Sequence, residues 1–255
     1  MARQFRLITY NLDLSAFEKP PERTVRQFLE EVQQEKPDVV VVQGGHRLVY
    51  EHLFREMLRM GLKRYVPEEF KDSCGGRFTE VVFTHLRVKK VVFVPFYNTG
   101  EGAGLTVCQL EIDPEDEAKD VWIATALLET APERGYNKRK QIEHVNTRFQ
   151  KTPRVIFAGD TNILSYQTTL DAPPGWLDAW KEFGRASNEF TYDHSRNSLA
   201  CSPCKDRRDR VWYRGIECTT FDLLGTKRPS PTSSHFGIVC EFAGVFPEKE
   251  NAQPF

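Results

Sequence analysis

The sequence predicts an α/β fold in one domain, and three observations carry that reading. Strand-like and helix-like apolar patterns alternate along the chain without a linker or a repeat. With 255 residues, 40% of them hydrophobic and 12% aromatic, the chain can bury a large core, and α/β proteins of this size often form one domain. The middle of the chain, Glu80 to Ile112, turns to successive short strands and reads as an antiparallel meander.

Leu7 to Leu14 opens as a strand, and Val25, Phe28, Leu29 and Val32 then recur at helical spacing before Pro37-Asp38 introduces the apolar run Val39 to Val42. Val49, Leu53, Met57 and Met60 form a second helical stripe suited to core packing. Within the meander lie Val81 to Phe83, Val91 to Val94 and the alternating Leu105, Val107, Gln109, Glu111 series; Gly100 to Gly104 reads as a hairpin turn, since it lacks the Lys-Ser/Thr ending of a P-loop. Val121 to Leu128 is a buried strand, Asn137 to Gln150 a polar helix, and Arg154 to Ala158 a short strand ending at Gly159-Asp160. The expected domain covers 1–246, followed by a polar tail, 247–255.

A formal net charge of −1 gives no global attraction to phosphate polymers, so nucleic-acid binding must be argued from a local site. The N-terminus has no apolar signal region and no run of about 18 apolar residues occurs, which leads us to expect an intracellular soluble chain without a membrane contact. Six cysteines spread through a chain of this length suggest free thiols. Cys201 and Cys204, with His194 upstream, offer three zinc donors, but a closed structural site needs four and no second pair stands nearby.

The chemistry begins at Gly159-Asp160-Thr161-Asn162. An apolar strand that delivers Asp160 and Asn162 to a loop can orient water with the carboxylate and a phosphate oxygen with the amide. An Asx-rich turn after a strand has the same signature, and the same two readings apply to Asn11 and to His235 beside Phe236-Gly237. The Lys205 to Arg210 stretch interleaves acids with its arginines and reads as a solvated, salt-bridged loop more readily than as a nucleic-acid patch.

Taken together and in order, Thr9-Tyr10-Asn11-Leu12-Asp13, Pro37-Asp38-Val39, Val155 to Asn162, Thr191-Tyr192-Asp193 with Asn197-Ser198, Asp209 to Arg214 and Leu223-Leu224-Gly225 resemble the endonuclease/exonuclease/phosphatase superfamily, and within it the type 2 tyrosyl-DNA phosphodiesterases. The likeness spans nearly the whole chain. It implies a two-sheet α/β sandwich flanked by helices, the DNase I-like fold, with the site at one end of the sheets. It implies magnesium-dependent hydrolysis of 5′-tyrosyl nucleic acid or a related phosphodiester, with Asn11 polarising the phosphate or supporting the metal, Asp160 orienting the nucleophile, Asn162 holding the phosphate and His235 stabilising charge. Tyr10, where tryptophan is usual, Tyr192 and Arg210 would border the substrate groove, Arg210 bracing Asp209.

Three positions depart from that pattern. Gly44 stands where a metal-binding glutamate is usual, Leu127 where a phosphate-facing histidine is usual, and Ser234 where the resemblance places the acid that orients His235. Asp13, Glu129, Asp193 and Asp209 are the neighbours able to compensate, and any metal would fall to Asn11, Asp13 and Asp160. The expectation is a pseudoenzyme without a cofactor, its fold retained as a binding or structural module for a protein partner or a larger assembly such as a viral particle. The alternative is a weak Mg²⁺-dependent phosphodiesterase.

Overall fold

The computed structural model describes residues 4–14, 22–45, 50–67, 80–99, 103–227 and 231–244. In chain order these form β1 (Phe5–Asn11), α1 (Glu22–Glu35), β2 (Val39–Gln43), α2 (Tyr50–Arg59), β3 (Lys63–Tyr65), β4 (Val81–Thr84), β5 (Val88–Pro95), β6 (Gly104–Leu110), β7 (Val121–Thr125), α3 (Gly135–Arg148), β8 (Val155–Asp160), β9 (Leu177–Asp178), α4 (Ala179–Phe183), β10 (Tyr192–Asp193), β11 (Lys205–Asp206), β12 (Asp209–Arg214), β13 (Cys218–Leu224) and β14 (Gly237–Phe242). One sheet runs β13-β14-β1-β2-β4-β3 and a second β5-β6-β7-β8-β12-β9, while β10 and β11 pair apart from both.

The period-2 alternation of each strand decides what lies between the sheets. Phe5 and Leu7 of β1 with Val39 and Val41 of β2 meet Ile123 of β7, Ile156 and Ala158 of β8 and Val211 of β12 in one buried cluster. The alternate residues Ile8, Tyr10, Val40 and Val42 face outward onto Val25, Phe28 and Val32 of α1 and onto Leu53 and Met57 of α2. On the far side Val155, Phe157 and Trp212 pack against Ile142, Val145 and Phe149. Helix, sheet, sheet, helix is therefore the layer order, and each fully buried aliphatic side chain contributes about 1.5–3 kcal/mol. Continuous apolar runs such as Val39 to Val42 are required because β2 is covered on both faces.

The expected meander is divided between the sheets. β4 pairs with β2 and β3, whereas β5 and β6 form a hairpin in the second sheet. Glu80, the first residue of that region, stands beside Gln43, because Val81 pairs with Val42. The central Gly100–Gly102 of the expected turn, the 247–255 tail and Val49 lie outside the described residues. Among those described, no helix is long and apolar enough to cross a membrane.

At one end of the space between the sheets the inward positions become polar: Leu7 gives way to Thr9 and Asn11, Val41 to Gln43, Ala158 to Asp160 and Val211 to Asp209. Gln43 closes the floor. Its amide donates to Thr9 Oγ1 at 3.1 Å in its own sheet and to Thr125 Oγ1 at 2.8 Å in the facing one, so a buried polar group is satisfied and the two sheets are tied together.

Candidate active site

Asp160 is the centre of the polar end. One carboxylate oxygen accepts from Asn11 Nδ2 at 2.8 Å and the other from the Asn162 backbone N–H at 2.7 Å. Asn11 reaches it from β1, whose inward face continues the Phe5, Leu7, Thr9 series. Asn162 has a left-handed backbone, φ +48, which asparagine tolerates better than most residues, and its amide donates to Leu128 O at 3.1 Å. Each of the two amides thus donates one proton within the chain and keeps a second for a ligand oxygen. Burial, then the nearby Asp209 carboxylate, raises the Asp160 pKa above the ordinary carboxylate range.

His235 lies two residues before β14, and its Nδ1 is 2.7 Å from Asp209 Oδ2 and 4.0 Å from Asp160 Oδ2. The ring is buried. Burial alone would lower its pKa, but the Asp209 charge and hydrogen bond outweigh it, with Asp160 and Asp13 adding to the effect, and the value rises to about 9. His235 is therefore an imidazolium at neutral pH, with Nδ1 committed to Asp209 and Nε2 as its remaining donor. This corrects the expectation drawn at Ser234: the acid that orients and charges the histidine is Asp209, delivered by β12 opposite Asp160 in register.

The neighbouring half of the pocket is built differently. An ideal Cβ at Gly44 would stand 2.2 Å from Asn11 Oδ1 and 2.9 Å from Asp13 N, on a backbone at φ +60. Asn11 Oδ1 instead accepts the Asp13 N–H at 2.8 Å, and Ser234 Oγ donates to Asp13 Oδ2. The strand ends at Asn11, and Asp13 adopts φ +49. Asp13 thus reaches the site through a turn, where a continuing strand was expected to carry it. Leu127 bridges to Asp160 in parallel register and is partly exposed.

Magnesium takes oxygen ligands at near-octahedral geometry and keeps several waters. The half that would hold it has no side chain at Gly44 and a neutral serine at Ser234, and Asn11 Oδ1 already accepts a backbone N–H, so of the expected set Asn11, Asp13 and Asp160 the charged oxygens are those of the two aspartates. Among the described residues, one set, Asp160, Asp209 and His235, brings three donor atoms within 4.8 Å of one another and could hold an ion. Asp209 Oδ1 is buried there without a hydrogen-bond partner. Among the described residues Cys201, Cys204 and His194 form no such group: Cys201 Sγ donates to Leu199 O, Cys204 Sγ lies 3.0 Å from Asp206 Oδ2, and His194 Nδ1 meets Ala200 O.

Two expected groove residues lie elsewhere, because adjacent strand positions face opposite ways. Tyr10 points from β1 into the helical layer, edge-on to Phe28 at 5.8 Å. Arg210 points to the outer side of β12, toward Asp171 at 3.5 Å and Asp178 at 3.7 Å, away from Asp209's face. Tyr192 does border the site, with its ring edge-on to His235 at 5.3 Å and the Arg208 guanidinium 3.7 Å above it. Of the compensating acids, Asp209 alone joins His235; Glu129 turns to Arg134 and Asn137, and Asp193 accepts from Ser195.

Two residues escaped the sequence reading. Lys138 is fully buried on α3, donating to Asn162 O and, at 3.1 Å, to Gln167 Oε1, and burial lowers its pKa to about 8. Its spacing to Gln141, Ile142 and Val145 places it on the buried helix face, which was a readable signal. Glu80 accepts the Leu127 N–H at 3.0 Å, and burial raises its pKa to about 7. Only the pairing of β4 with β2 brings it there.

No family model matches the chain, and no curated protein matches it in sequence. Solved structures do. Danio rerio TDP2 complexed with a single-strand DNA product is 21% identical, with 94% of this chain and 99% of that one covered at a TM-score of 0.82. The human Nocturnin catalytic domain with bound sulfate is 16% identical over 94% and 93%, TM-score 0.71. An endonuclease/exonuclease/phosphatase family protein from Leptotrichia buccalis is 15% identical over 94% and 100%, TM-score 0.70. At such identities the likeness concerns architecture, and the chain has the α/β sandwich fold of the endonuclease/exonuclease/phosphatase superfamily.

Proposed function

We propose that this chain is a phosphate-binding module on a phosphodiesterase-type fold, one that has lost metal-assisted hydrolysis. The observation that carries the reading is Gly44, whose side-chain space is filled by Asn11 Oδ1. A carboxylate cannot be set there without displacing Asn11. The other half retains what an anion needs: the His235 imidazolium and the spare amide protons of Asn11 and Asn162 converge beside Asp160. Asp160 would orient a water, yet without a cation to stabilise charge developing on the phosphoryl oxygens the attack loses several kcal/mol of stabilisation.

A second reading, a weak metal-dependent phosphodiesterase, is favoured by the Asp160, Asp209 and His235 group and the unpartnered Asp209 Oδ1. One experiment separates the two. A 5′-tyrosyl oligonucleotide is offered with magnesium or manganese to wild type and Asp160→Ala, while calorimetry follows binding of a 5′-phosphorylated oligonucleotide to wild type and His235→Ala. The expected result is binding that His235→Ala weakens at least tenfold, with turnover no greater than in Asp160→Ala. Cleavage by wild type that Asp160→Ala abolishes would overturn the module reading.

A further inference from the structure

The loop between β10 and β11 carries chemistry that the pocket does not use. Those two short strands pair apart from both sheets, and the chain between them is tied across its base, where His194 N donates to Cys204 O at 3.2 Å. It contains Cys201-Ser202-Pro203-Cys204. Cys201 is exposed and Cys204 half-buried, whereas Cys108, Cys218 and Cys240 lie in the core, so among the described cysteines this pair is the one a dissolved oxidant can reach. The turn is tight: Cys204 N donates to Ser202 O at 2.8 Å, and Pro203 holds its own φ and has no N–H to compete. Each sulfur has different partners. Cys201 Sγ donates to Leu199 O at 3.5 Å, while Cys204 Sγ lies 3.0 Å from Asp206 Oδ2 and 3.3 Å from Arg208 Nη2. Asp206 accepts the thiol's hydrogen bond, and the guanidinium faces the sulfur once that proton has gone; the thiolate is the form that attacks. Two contacts lead from this turn to the rim of the pocket. Ser202 N donates to Tyr192 Oη at 2.9 Å, and Arg208 lies on the Tyr192 ring, which meets His235 edge-on.

We infer that Cys201 and Cys204 are a thiol–disulfide exchange site for low-molecular-weight disulfides, linked through Ser202 to Tyr192 at the rim of the pocket. Cys204, beside Arg208, attacks one sulfur of the small disulfide; its S–S bond breaks, a mixed disulfide forms on Cys204 and one small thiol leaves. Cys201 then attacks the Cys204 sulfur and expels the second small thiol. The two protein thiols are thereby oxidised by two electrons, the small disulfide is reduced, and both protons end on the released thiols. Joining the two sulfurs takes each from its present partners, so Cys204 leaves Arg208. The bend falls on Ser202, because Pro203 is fixed in φ. The hydrogen bond from Ser202 to Tyr192 is therefore a contact of the reduced form. The site takes nothing from the phosphate reading, since its readout is the state of the sulfurs.

The test equilibrates the full chain with a fixed concentration of reduced glutathione and graded glutathione disulfide, then alkylates the remaining thiols, digests with trypsin and weighs the peptides. Cleavage after Arg196 and Lys205 releases residues 197–205, which hold both cysteines and no third. The expected product is an internal disulfide in that peptide, two hydrogens lighter than the dithiol and restored by dithiothreitol. Cys201→Ser should trap glutathione on Cys204, and Cys204→Ser should leave Cys201 about tenfold slower to react. Tyr192→Phe, which deletes one hydrogen bond of the reduced form, should bring half-oxidation at a glutathione disulfide concentration about fivefold lower. Full alkylation of both cysteines across the oxidising series, or a mixed disulfide that stays open in wild type, would overturn the exchange site. A half-oxidation point unmoved by Tyr192→Phe would overturn its link to the pocket.

Discussion

The two halves of the pocket share a floor and differ in how they are filled. Around Asp160, groups from β1, β8, β12 and the loop before β14 converge in a closed network, with Asn11, Asn162 and the Asp209-His235 pair each bonded in an orientation suited to an anion. Around Gly44, the chain's own groups occupy the space that a side chain would need, since Asn11 Oδ1 is turned to Asp13 N and Asp13 is bonded to Ser234. The proposed function implies that anion recognition and metal recognition are separable on this fold. On the proposed reading the first half can stand without the second because His235, held by Asp209, still has its second ring N–H to offer an anion.

The largest test of that contrast is Asp209→Ala. It leaves a buried imidazole without its acid, and losing one partner of such a pair costs about 3–5 kcal/mol, to be read from urea unfolding at pH 7. The wild-type pair has a pH signature. His235 rises from 6.5 to about 9 on folding, so its contribution is complete below pH 6.5 and is lost as pH rises through about 9. Asp209→Ala should flatten that fall; an unchanged profile would mean that the pair does not carry the charge.

Gly44→Glu probes the other half. The left-handed backbone and the clash with Asn11 together should destabilise by about 2–4 kcal/mol, and combining it with Asn11→Gly should cost less than the two single changes summed. Additive costs in that double-mutant cycle would show that Asn11 does not block the position. Glu80→Gln works in the opposite direction. Because folding raises the Glu80 pKa from 4.5 to about 7, stability falls as pH rises between those values, and the amide variant should gain about 1–3 kcal/mol over wild type at pH 8. A gain of the same size at pH 4 would disprove the burial argument. Ser234→Ala should be mildest, about 1 kcal/mol for one hydrogen bond, with anion affinity unaltered in calorimetry if the halves are independent.

Much of this was legible because it is local. Asp160 and Asn162 announce themselves by following the apolar Val155 to Ala158 run, and the helical spacing of Val25, Phe28, Leu29 and Val32 fixes the buried face of α1. Arg210 was legible in the same way, since period-2 alternation with Asp209 sends it to the other face of β12 and away from the groove. The pairing of His235 with Asp209 bridges 26 residues and that of Glu80 with Leu127 bridges 47, so neither has a spacing that a strand or helix would repeat. The same limit hid the division of the meander, because short strands in succession look alike whether they pair with one another or cross to a second sheet.

Gln43 has a mechanical consequence. By holding Thr9 and Thr125 at once it pins the ends of both sheets together beneath the pocket, so the cleft cannot widen by the sheets splaying apart. Whatever enters must be admitted by rearrangement of the rim, and the slowest amide protons to exchange near the site should be those of β1, β2 and β7 on either side of that clasp.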